Sequence, residues 1–312
     1  MNLQQLEYIL AIDRYRNFTR AAEACFVTQA TLSAMVKKLE EELGVVIFDR
    51  RSSPIMPTEI GKELLIEARE VLAHTTLLTE KAKSSSGKVE GHLRLAVIPT
   101  IANSFLPRIL QPLLATYPGL SLEITEYTTS NIIRQLREGT IDLGLLSTPV
   151  EAPDMEHRLL YYESLMVYGD IDKQKRYVLP EEIRNHKIWL LEEGHCLRTQ
   201  FMNLCSLREG DSRFQNLKFE ASSFETLLNM VDQFGGLTLI PELLYLDLPA
   251  ERKSRVSFFE APLPVREVSL MYYRPYAKRS LIDAVEKFII ATMNPILISR
   301  DIDKEELSIT AL

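Results

Sequence analysis

Apolar positions recur at helical spacing through the first 90 residues, and this pattern predicts an almost entirely helical start to the chain. A short second helix has Thr19 as its candidate N-cap. Thr28 is the candidate cap of a third helix that reaches about Leu43, where Gly44 provides a stop. Two helices joined by a tight turn, the second displaying polar and basic residues, indicate a helix-turn-helix.

Two short apolar segments and a long amphipathic helix follow. Residues 45–48 and 55–58 predict two strands, and the turn between them carries Arg50 and Arg51. This strand-turn-strand has the form of a wing. From 58 to about 86 the pattern predicts one long helix that ends in a serine-rich stretch, which we interpret as a linker.

The hydrophobic period changes at residue 92, where strand and helix patterns begin to alternate. The predicted strands are 93–97, 120–126, 141–146, 188–191, 237–240 and 268–272, and the predicted helices are 105–115, 132–137, 197–207, 224–231 and 280–293. This alternation favours an α/β domain with a mostly parallel sheet. Residues 299–312 are polar, and we expect a loose tail there.

Composition limits the possible classes of protein. The 312 residues are 46% hydrophobic and 25% charged, which is typical of about two globular domains. No apolar run is long enough to span a bilayer, and the N-terminus lacks the features of a secretion signal. Three cysteines cannot form a secreted disulfide framework. We therefore expect a soluble cytoplasmic protein. The five histidines show no spacing typical of a metal site.

Charge alone does not indicate a nucleic-acid partner. Residues 1–90 carry 12 basic and 13 acidic side chains, and residues 91–312 carry 24 and 30. A DNA interface must therefore depend on placement. Helix and wing positions suited to base or phosphate contact are Gln29, Thr31, Ser33, Lys37, Lys38, Arg50 and Arg51. The alternative is the solvated face of an ordinary helix.

The three cysteines differ in their surroundings. Cys25 is expected to be a small buried hydrophobe in the helix-turn-helix core. Cys196 opens a predicted helix, whose dipole together with Arg198 would favour the thiolate. On its own, Cys205 fits a core position equally well. Thr100 and Thr129 lie where a strand ends and a helix begins, so each can be an N-cap or a ligand-binding hydroxyl.

The first 60 residues resemble the winged helix-turn-helix of LysR-type transcriptional regulators. The residues that carry the resemblance are Leu6, Phe18, Thr19, Arg20, Ala21, Ala22, Gln29, Leu32, Ser33, Leu39, Glu40, Leu43, Gly44, Phe48, Asp49, Arg50, Pro57, Thr58 and Gly61. The resemblance implies a two-lobed α/β regulatory domain similar to a periplasmic binding protein. The implied divisions are a head at 1–58, a linker helix at 59–90, a regulatory domain at 91–298 and a tail at 299–312. Within the regulatory domain, lobe I comprises 91–164 with 268–298, and lobe II comprises 165–267.

The segment 194–205, GHCLRTQFMNLC, resembles the redox segment of the peroxide-sensing members of that family. This resemblance implies that Cys196 is oxidised by hydrogen peroxide and then forms a disulfide with Cys205. It places a peroxide pocket at Thr100, Thr129, His195, Arg198, Thr199 and Arg274. Thr199 departs from the pattern, because such sensors commonly carry an acidic residue there.

The resemblance implies a regulator rather than an enzyme, with no cofactor and no metal. Its expected partners are double-stranded promoter DNA, a homodimer or homotetramer, hydrogen peroxide, a cellular thiol reductant and RNA polymerase, without a membrane. One alternative is a LysR-type regulator that binds a small organic effector between the lobes. Another is a thiol peroxidase, for which peroxide consumption would be the purpose.

Overall fold

The fold is described by a computed structural model that covers residues 1–83, 89–171, 177–207, 219–273, 278–302 and 306–310. The chain divides into two compact units, one formed by Met1–Lys88 and one by Val89–Tyr273 with Ser280–Leu312. Within the described residues, no helix combines the length and apolar character needed to cross a bilayer.

The first unit begins with the three predicted helices, α1 (Leu3–Tyr15), α2 (Phe18–Ala24) and α3 (Gln29–Leu43). Thr28 caps α3, as the sequence predicts, because its side chain accepts a hydrogen bond from the Thr31 amide. The prediction of Thr19 as the cap of α2 is wrong. Asn17 holds that position, and its carboxamide oxygen accepts from the amides of Thr19 and Arg20.

A short hairpin and the linker helix complete the first unit. Strands β1 (Phe48–Asp49) and β2 (Met56–Pro57) pair antiparallel and are shorter than the sequence predicts. Helix α4 (Glu59–Lys83) follows, and the Thr58 hydroxyl accepts a hydrogen bond from the Gly61 amide at its start. The predicted end of the linker near residue 86 lies outside the described residues.

Three parallel strands form one side of the regulatory sheet. Strand β3 (Gly91–Val97) lies between β4 (Leu120–Glu126) and β5 (Leu143–Thr148), and it pairs parallel with both. Helices α5 (Pro99–Thr116) and α6 (Thr129–Arg137) connect these strands. This half agrees with the predicted β-α-β alternation.

Two long strands make the rest of the sheet mixed rather than mostly parallel. Strand β6 (Met155–Gly169) runs antiparallel to β10 (Leu263–Tyr273), which also pairs antiparallel with β5. The hydrophobic pattern predicts no element at β6, and it predicts a start of β10 that is five residues too late. Neither strand shows strict alternation, since β6 is almost continuously buried over its second half.

The second half of β6 enters the other lobe. There it pairs with β8 (Leu237–Pro241) and β9 (Val256–Phe259), and β9 pairs with β7 (Tyr177–Val178). The surrounding helices are α7 (Pro180–Ile183), α8 (Cys196–Leu204), α9 (Phe224–Phe234), α10 (Glu242–Asp247) and α11 (Ala250–Lys253). The buried residues of this core lie between Leu165 and Phe259.

After the last helix, α12 (Arg279–Met293), the chain returns to the sheet. Strand β11 (Leu307–Ile309) pairs parallel with the start of β10, and the Thr310 amide donates to the Val265 carbonyl at 2.9 Å. The prediction of a loose tail is therefore wrong for these residues. Polar composition suggested solvent exposure, but main-chain pairing and the burial of Thr310 hold the segment in place.

Candidate redox site and nucleic-acid interface

Cys196 is the first residue of α8 and is almost fully buried. His195 occupies the N-cap position without a capping hydrogen bond from its side chain. The sulfur of Cys196 is in hydrogen-bonding contact with the Thr100 side chain and with the Leu197 amide. The helix start therefore directs main-chain N–H groups at the thiol, as the sequence predicts.

The expected lowering of the Cys196 pKa is opposed by burial. Burial raises the pKa of the Cys196 thiol, and Arg266, the Thr100 hydroxyl and the helix amides lower it to a smaller extent. A buried thiolate loses its hydration, so the net pKa is raised above the ordinary value. The resting site therefore holds a thiol, with a set of groups that favour the thiolate once a proton leaves.

Arg266 supplies the positive charge of this site, and sequence reasoning missed it. Its guanidinium is fully buried and donates from Nη1 to Thr100 Oγ1 at 3.1 Å and from Nη2 to the Thr100 carbonyl at 3.0 Å. Its Nε donates to Glu163 Oε2 at 2.8 Å. The residue lies before the predicted start of β10, so its placement inside the sheet was not visible from the hydrophobic pattern.

Arg198 does not serve as that positive group. Its Nη1 donates to the Leu191 carbonyl at 2.9 Å and lies 3.0 Å from Glu220 Oε1. Two residues along a helix rotate the side chain by about 200°, which directs Arg198 away from the face of Cys196. Thr199 is exposed. Arg274, another predicted pocket residue, lies outside the described residues.

Thr100 and Thr129 lie at the same edge of the sheet, because Val97 and Glu126 are paired at the ends of their parallel strands. Neither threonine is an N-cap, since Ile98 and Thr128 hold those positions. The Thr129 hydroxyl is buried and has no hydrogen-bond partner among the described residues. A buried hydroxyl without a partner suits a ligand role better than a capping role.

His195 lines a cavity of about 400 Å³ whose wall includes residues of both lobes. The buried imidazole has Nε2 at 3.6 Å from Glu192 Oε1. Polar groups from several elements line the cavity, including those of Thr100, Asn103, Glu126, Ser223 and Arg252. The volume and the polar lining can accommodate a small organic molecule.

Cys205 follows the last residue of α8 and is completely buried in the second-lobe core. Burial raises the pKa of its thiol to about 12, although Arg184 lowers it. The Arg184 Nε atom donates to the Cys205 carbonyl at 2.7 Å. Nine helical residues separate the two cysteines by a rise of about 13 Å, so their sulfurs cannot bond while α8 is intact.

Cys25 packs against the helix-turn-helix core and is half-buried. Burial and the neighbouring Glu7 carboxylate raise the pKa of its thiol. This environment agrees with the predicted role as a small core residue.

The candidate nucleic-acid interface is the outer face of α3. Gln29, Thr31, Lys37 and Lys38 are exposed there, and Ser33 is half-buried. The predicted face is therefore available on the surface of the head. Lys37 Nζ lies 3.6 Å from Glu41 Oε1, and an exposed ion pair of this kind contributes little to stability.

The two wing arginines have different surroundings. Arg50 Nη2 donates to Glu40 Oε2 at 2.7 Å, and its guanidinium lies 5.3 Å from the ring centre of Phe18. The Glu40 carboxylate also accepts from the Ile47 amide at 2.8 Å, so it connects α3 to the hairpin. Arg50 therefore has a structural partner that the sequence pattern does not reveal, although both wing arginines are exposed.

Across the described ranges, no three His, Cys, Asp or Glu side chains gather as a group able to hold a metal ion.

Comparison with known protein families gives two matches along the chain. Residues 3–62 match the family described as "Bacterial regulatory helix-turn-helix protein, lysR family", and residues 86–294 match the "LysR substrate binding domain". Together these matches cover nearly all of the head, both ends of the linker and nearly all of the regulatory unit.

Individual relatives cover almost the whole chain. The "DNA-binding transcriptional dual regulator OxyR" of Escherichia coli (strain K12) is 34% identical over 300 residues, which are 94% of this chain and 96% of that protein. Full-length OxyR from Pseudomonas aeruginosa, in a cysteine variant, aligns with a TM-score of 0.75 and 29% identity over 94% of this chain and 98% of that one. A cysteine mutant of Corynebacterium glutamicum OxyR, with H2O2 bound, aligns with a TM-score of 0.61 and 26% identity, covering 94% and 93%.

Proposed function

Because the chain belongs to the LysR family of bacterial regulators, we propose that it is a DNA-binding transcription factor switched by hydrogen peroxide. The switch is oxidation of Cys196 followed by a disulfide with Cys205. One observation carries this proposal: a buried thiol lies against a buried arginine, a threonine hydroxyl and a helix N-terminus, and a second thiol lies at the other end of the same helix.

The first step is attack of the Cys196 thiolate on one oxygen of the peroxide. The O–O bond breaks, the sulfur gains one oxygen as a sulfenic acid, and the other oxygen leaves as hydroxide, which takes up the thiol proton to give water. In this proposal the Thr100 and Thr129 hydroxyls bind the peroxide, which is supported by the contact of Thr100 with Arg266 and by the buried, unpartnered hydroxyl of Thr129 among the described residues. Arg266 stabilises the thiolate and the hydroxide that leaves.

The second step joins the two sulfurs. The Cys205 thiol attacks the Cys196 sulfur, the S–S bond forms, and the sulfenic oxygen leaves as water. Because α8 separates the cysteines, this step requires the helix to unwind. Leu197 and Phe201 must then leave their buried positions, which changes the surface of the lobe that contains them.

The head supplies the DNA-binding activity in this proposal. A single α3 reads one half-site, so the functional form is a homodimer or homotetramer on double-stranded promoter DNA. A cellular thiol reductant, in the reducing cytoplasm, returns the disulfide to two thiols. Contact with RNA polymerase would convert DNA binding into a change in transcription.

The 400 Å³ cavity favours a second candidate function, a regulator that responds to a small organic effector. The two functions differ in their dependence on Cys196, because effector binding would survive its replacement by serine. A thiol peroxidase differs from both in turning over many equivalents of peroxide with a thiol reductant.

The test is promoter binding by reduced and peroxide-treated protein side by side, for the natural chain and for Cys196→Ser. We expect the natural chain to change its footprint after peroxide and Cys196→Ser to show one footprint in both conditions. An equal response in the two proteins would overturn the redox proposal, and no response to peroxide in either protein would favour the effector function. Sustained peroxide consumption with a thiol reductant would support the peroxidase.

A further inference from the structure

Gln200 lies one helical turn after Cys196, so the two side chains project from the same face of α8. Its side chain is completely buried. The amide Nε2 donates to Ser147 Oγ and to the Thr310 carbonyl, each at 3.2 Å, while Oε1 has no partner among the described residues. Burying an amide with one unsatisfied atom costs free energy, so packing alone does not explain Gln200. The relevant feature is the pair of groups that accept hydrogen bonds from it.

The two acceptors belong to segments remote from α8 in sequence. Ser147 is fully buried near the end of β5, in the lobe opposite α8. Thr310 follows β11, the C-terminal strand. The Gln200 side chain on α8 therefore forms hydrogen bonds both with the other lobe and with the C-terminal segment.

The C-terminal strand is itself connected to the redox site. It pairs with the first residues of β10, and the Thr310 amide donates to the carbonyl of Val265. Arg266 is the next residue, and its guanidinium contacts Thr100 beside Cys196. Hydrogen bonds of Thr310 thus connect α8, through Gln200, to the part of β10 that precedes Arg266.

We propose that Gln200 is a positioning residue that, together with the C-terminal strand, latches α8 in its reduced conformation and thereby sets how easily the disulfide forms. This inference rests on the proposed redox function. Disulfide formation must unwind α8, which breaks both hydrogen bonds of the Gln200 amide. The latch stabilises the dithiol form and not the disulfide form, so its loss shifts the equilibrium toward the disulfide.

The experiment measures the thiol–disulfide equilibrium of the full chain in glutathione buffers. Two glutathione thiols are oxidised to one glutathione disulfide for each protein disulfide reduced, and alkylation with mass spectrometry gives the fraction of protein disulfide. We expect Gln200→Met to favour the disulfide by about tenfold, a shift of about 30 mV toward more negative potential. Asn203→Met, on the exposed face of the same helix, is the matched control and should stay within about twofold.

Two further variants test the connection. Removal of 306–312 should shift the equilibrium in the same direction, and combining it with Gln200→Met should add less than the sum of the two effects, because they remove one shared contact. Ser147→Ala removes an acceptor of the Gln200 amide on the other lobe, so it should also shift the equilibrium toward the disulfide. This variant replaces Gln200→Met in the test if Gln200→Met does not fold.

The possible results distinguish a failure of the latch proposal from a failure of the proposed redox function. A residue with a purely structural role would destabilise both redox forms and leave the equilibrium unmoved. A disulfide that forms normally in the natural chain, with an equilibrium within about twofold in Gln200→Met and Ser147→Ala, would overturn the latch alone. Failure of the natural chain to form a Cys196–Cys205 disulfide would overturn the proposed function and the latch with it.

Discussion

Arg266 and Thr100 are 166 positions apart in the sequence and are joined by two hydrogen bonds, from Nη1 to Oγ1 and from Nη2 to the carbonyl. Both residues are buried, so the contact fixes the Thr100 hydroxyl at the sulfur of Cys196 without competition from water. The arginine thereby positions the hydroxyl that we propose to bind peroxide, and it supplies the charge that favours the thiolate.

Replacement of Arg266 should slow oxidation of Cys196. Arg266 lowers the pKa of the thiol, so its loss raises that pKa and reduces the thiolate fraction at neutral pH. We expect Arg266→Met, combined with Glu163→Gln to avoid an unpaired buried carboxylate, to lower the peroxide rate about tenfold or more, because the charge that stabilises the thiolate is lost. Stopped-flow oxidation kinetics measure this rate, and thermal unfolding checks the fold.

Arg198→Met is the matched control, because Arg198 pairs with Glu220 instead. If this variant slows Cys196 oxidation as much as the loss of Arg266, the assignment of the positive group is wrong.

Loss of the Thr129 hydroxyl should slow oxidation by peroxide without changing the stability of the fold. It is buried without a partner, so Thr129→Val removes no hydrogen bond present in the resting protein. The free energy of unfolding should change by less than about 0.5 kcal/mol, while the peroxide rate falls by about fivefold, the value of one hydrogen bond. Thr128→Val is the control, because the Thr128 hydroxyl accepts from Asn131 on the same helix. Equal peroxide rates in the natural chain and Thr129→Val would exclude this hydroxyl from the pocket.

The wing arginines should separate DNA affinity from stability. Arg51→Ala should reduce the slope of log affinity against log salt by about one unit without changing the unfolding temperature. Arg50→Ala should lower the free energy of unfolding by about 1 to 3 kcal/mol, because it leaves the Glu40 carboxylate without its cation. Salt-dependent binding and denaturant unfolding measure the two effects. The reverse pattern, with Arg50 governing only the salt slope, would contradict this division.

Cys205 should make the reduced protein less stable at alkaline pH. Its folded pKa is about 12, against about 8.5 for an unfolded cysteine, so the folded state retains a proton that the unfolded state releases. The stabilisation is complete below about pH 8.5 and is lost at up to about 1.4 kcal/mol per pH unit as the pH rises toward 12.

We expect Cys205→Ala to flatten the pH dependence of unfolding between about pH 8.5 and 10.5, because this variant lacks the titrating thiol. Tyrosine and lysine titrations are common to both proteins and cancel in the comparison. Parallel curves for the two proteins would show that the thiol is not held protonated in the fold.

Local signals predicted the head and the redox helix well. Thr28 caps α3, Gly44 ends it, and α8 begins at Cys196, because caps and helix stops depend on residues close in sequence. The predicted cap at Thr19 failed because α2 begins one residue earlier, at Phe18. Asn17 precedes that start, is a stronger N-cap residue than threonine, and accepts from the amides of Thr19 and Arg20.

Features that depend on contacts distant in sequence were missed. Nothing near Arg266 reveals that Thr100 and Glu163 satisfy its guanidinium. The same holds for Thr310, whose burial depends on β10 and Gln200. The sequence pattern identified both cysteines, but the burial that raises their pKa values is a property of the assembled lobe.

Amide hydrogen exchange across Leu197–Leu204, measured before and after peroxide on protein whose disulfide is verified by mass spectrometry, tests the central claim most directly. In the reduced protein these residues form α8, and their amides should be protected. We predict that protection is lost when Cys196 and Cys205 are joined, because the bond cannot span an intact helix. Unchanged protection in fully disulfide-bonded protein would contradict it.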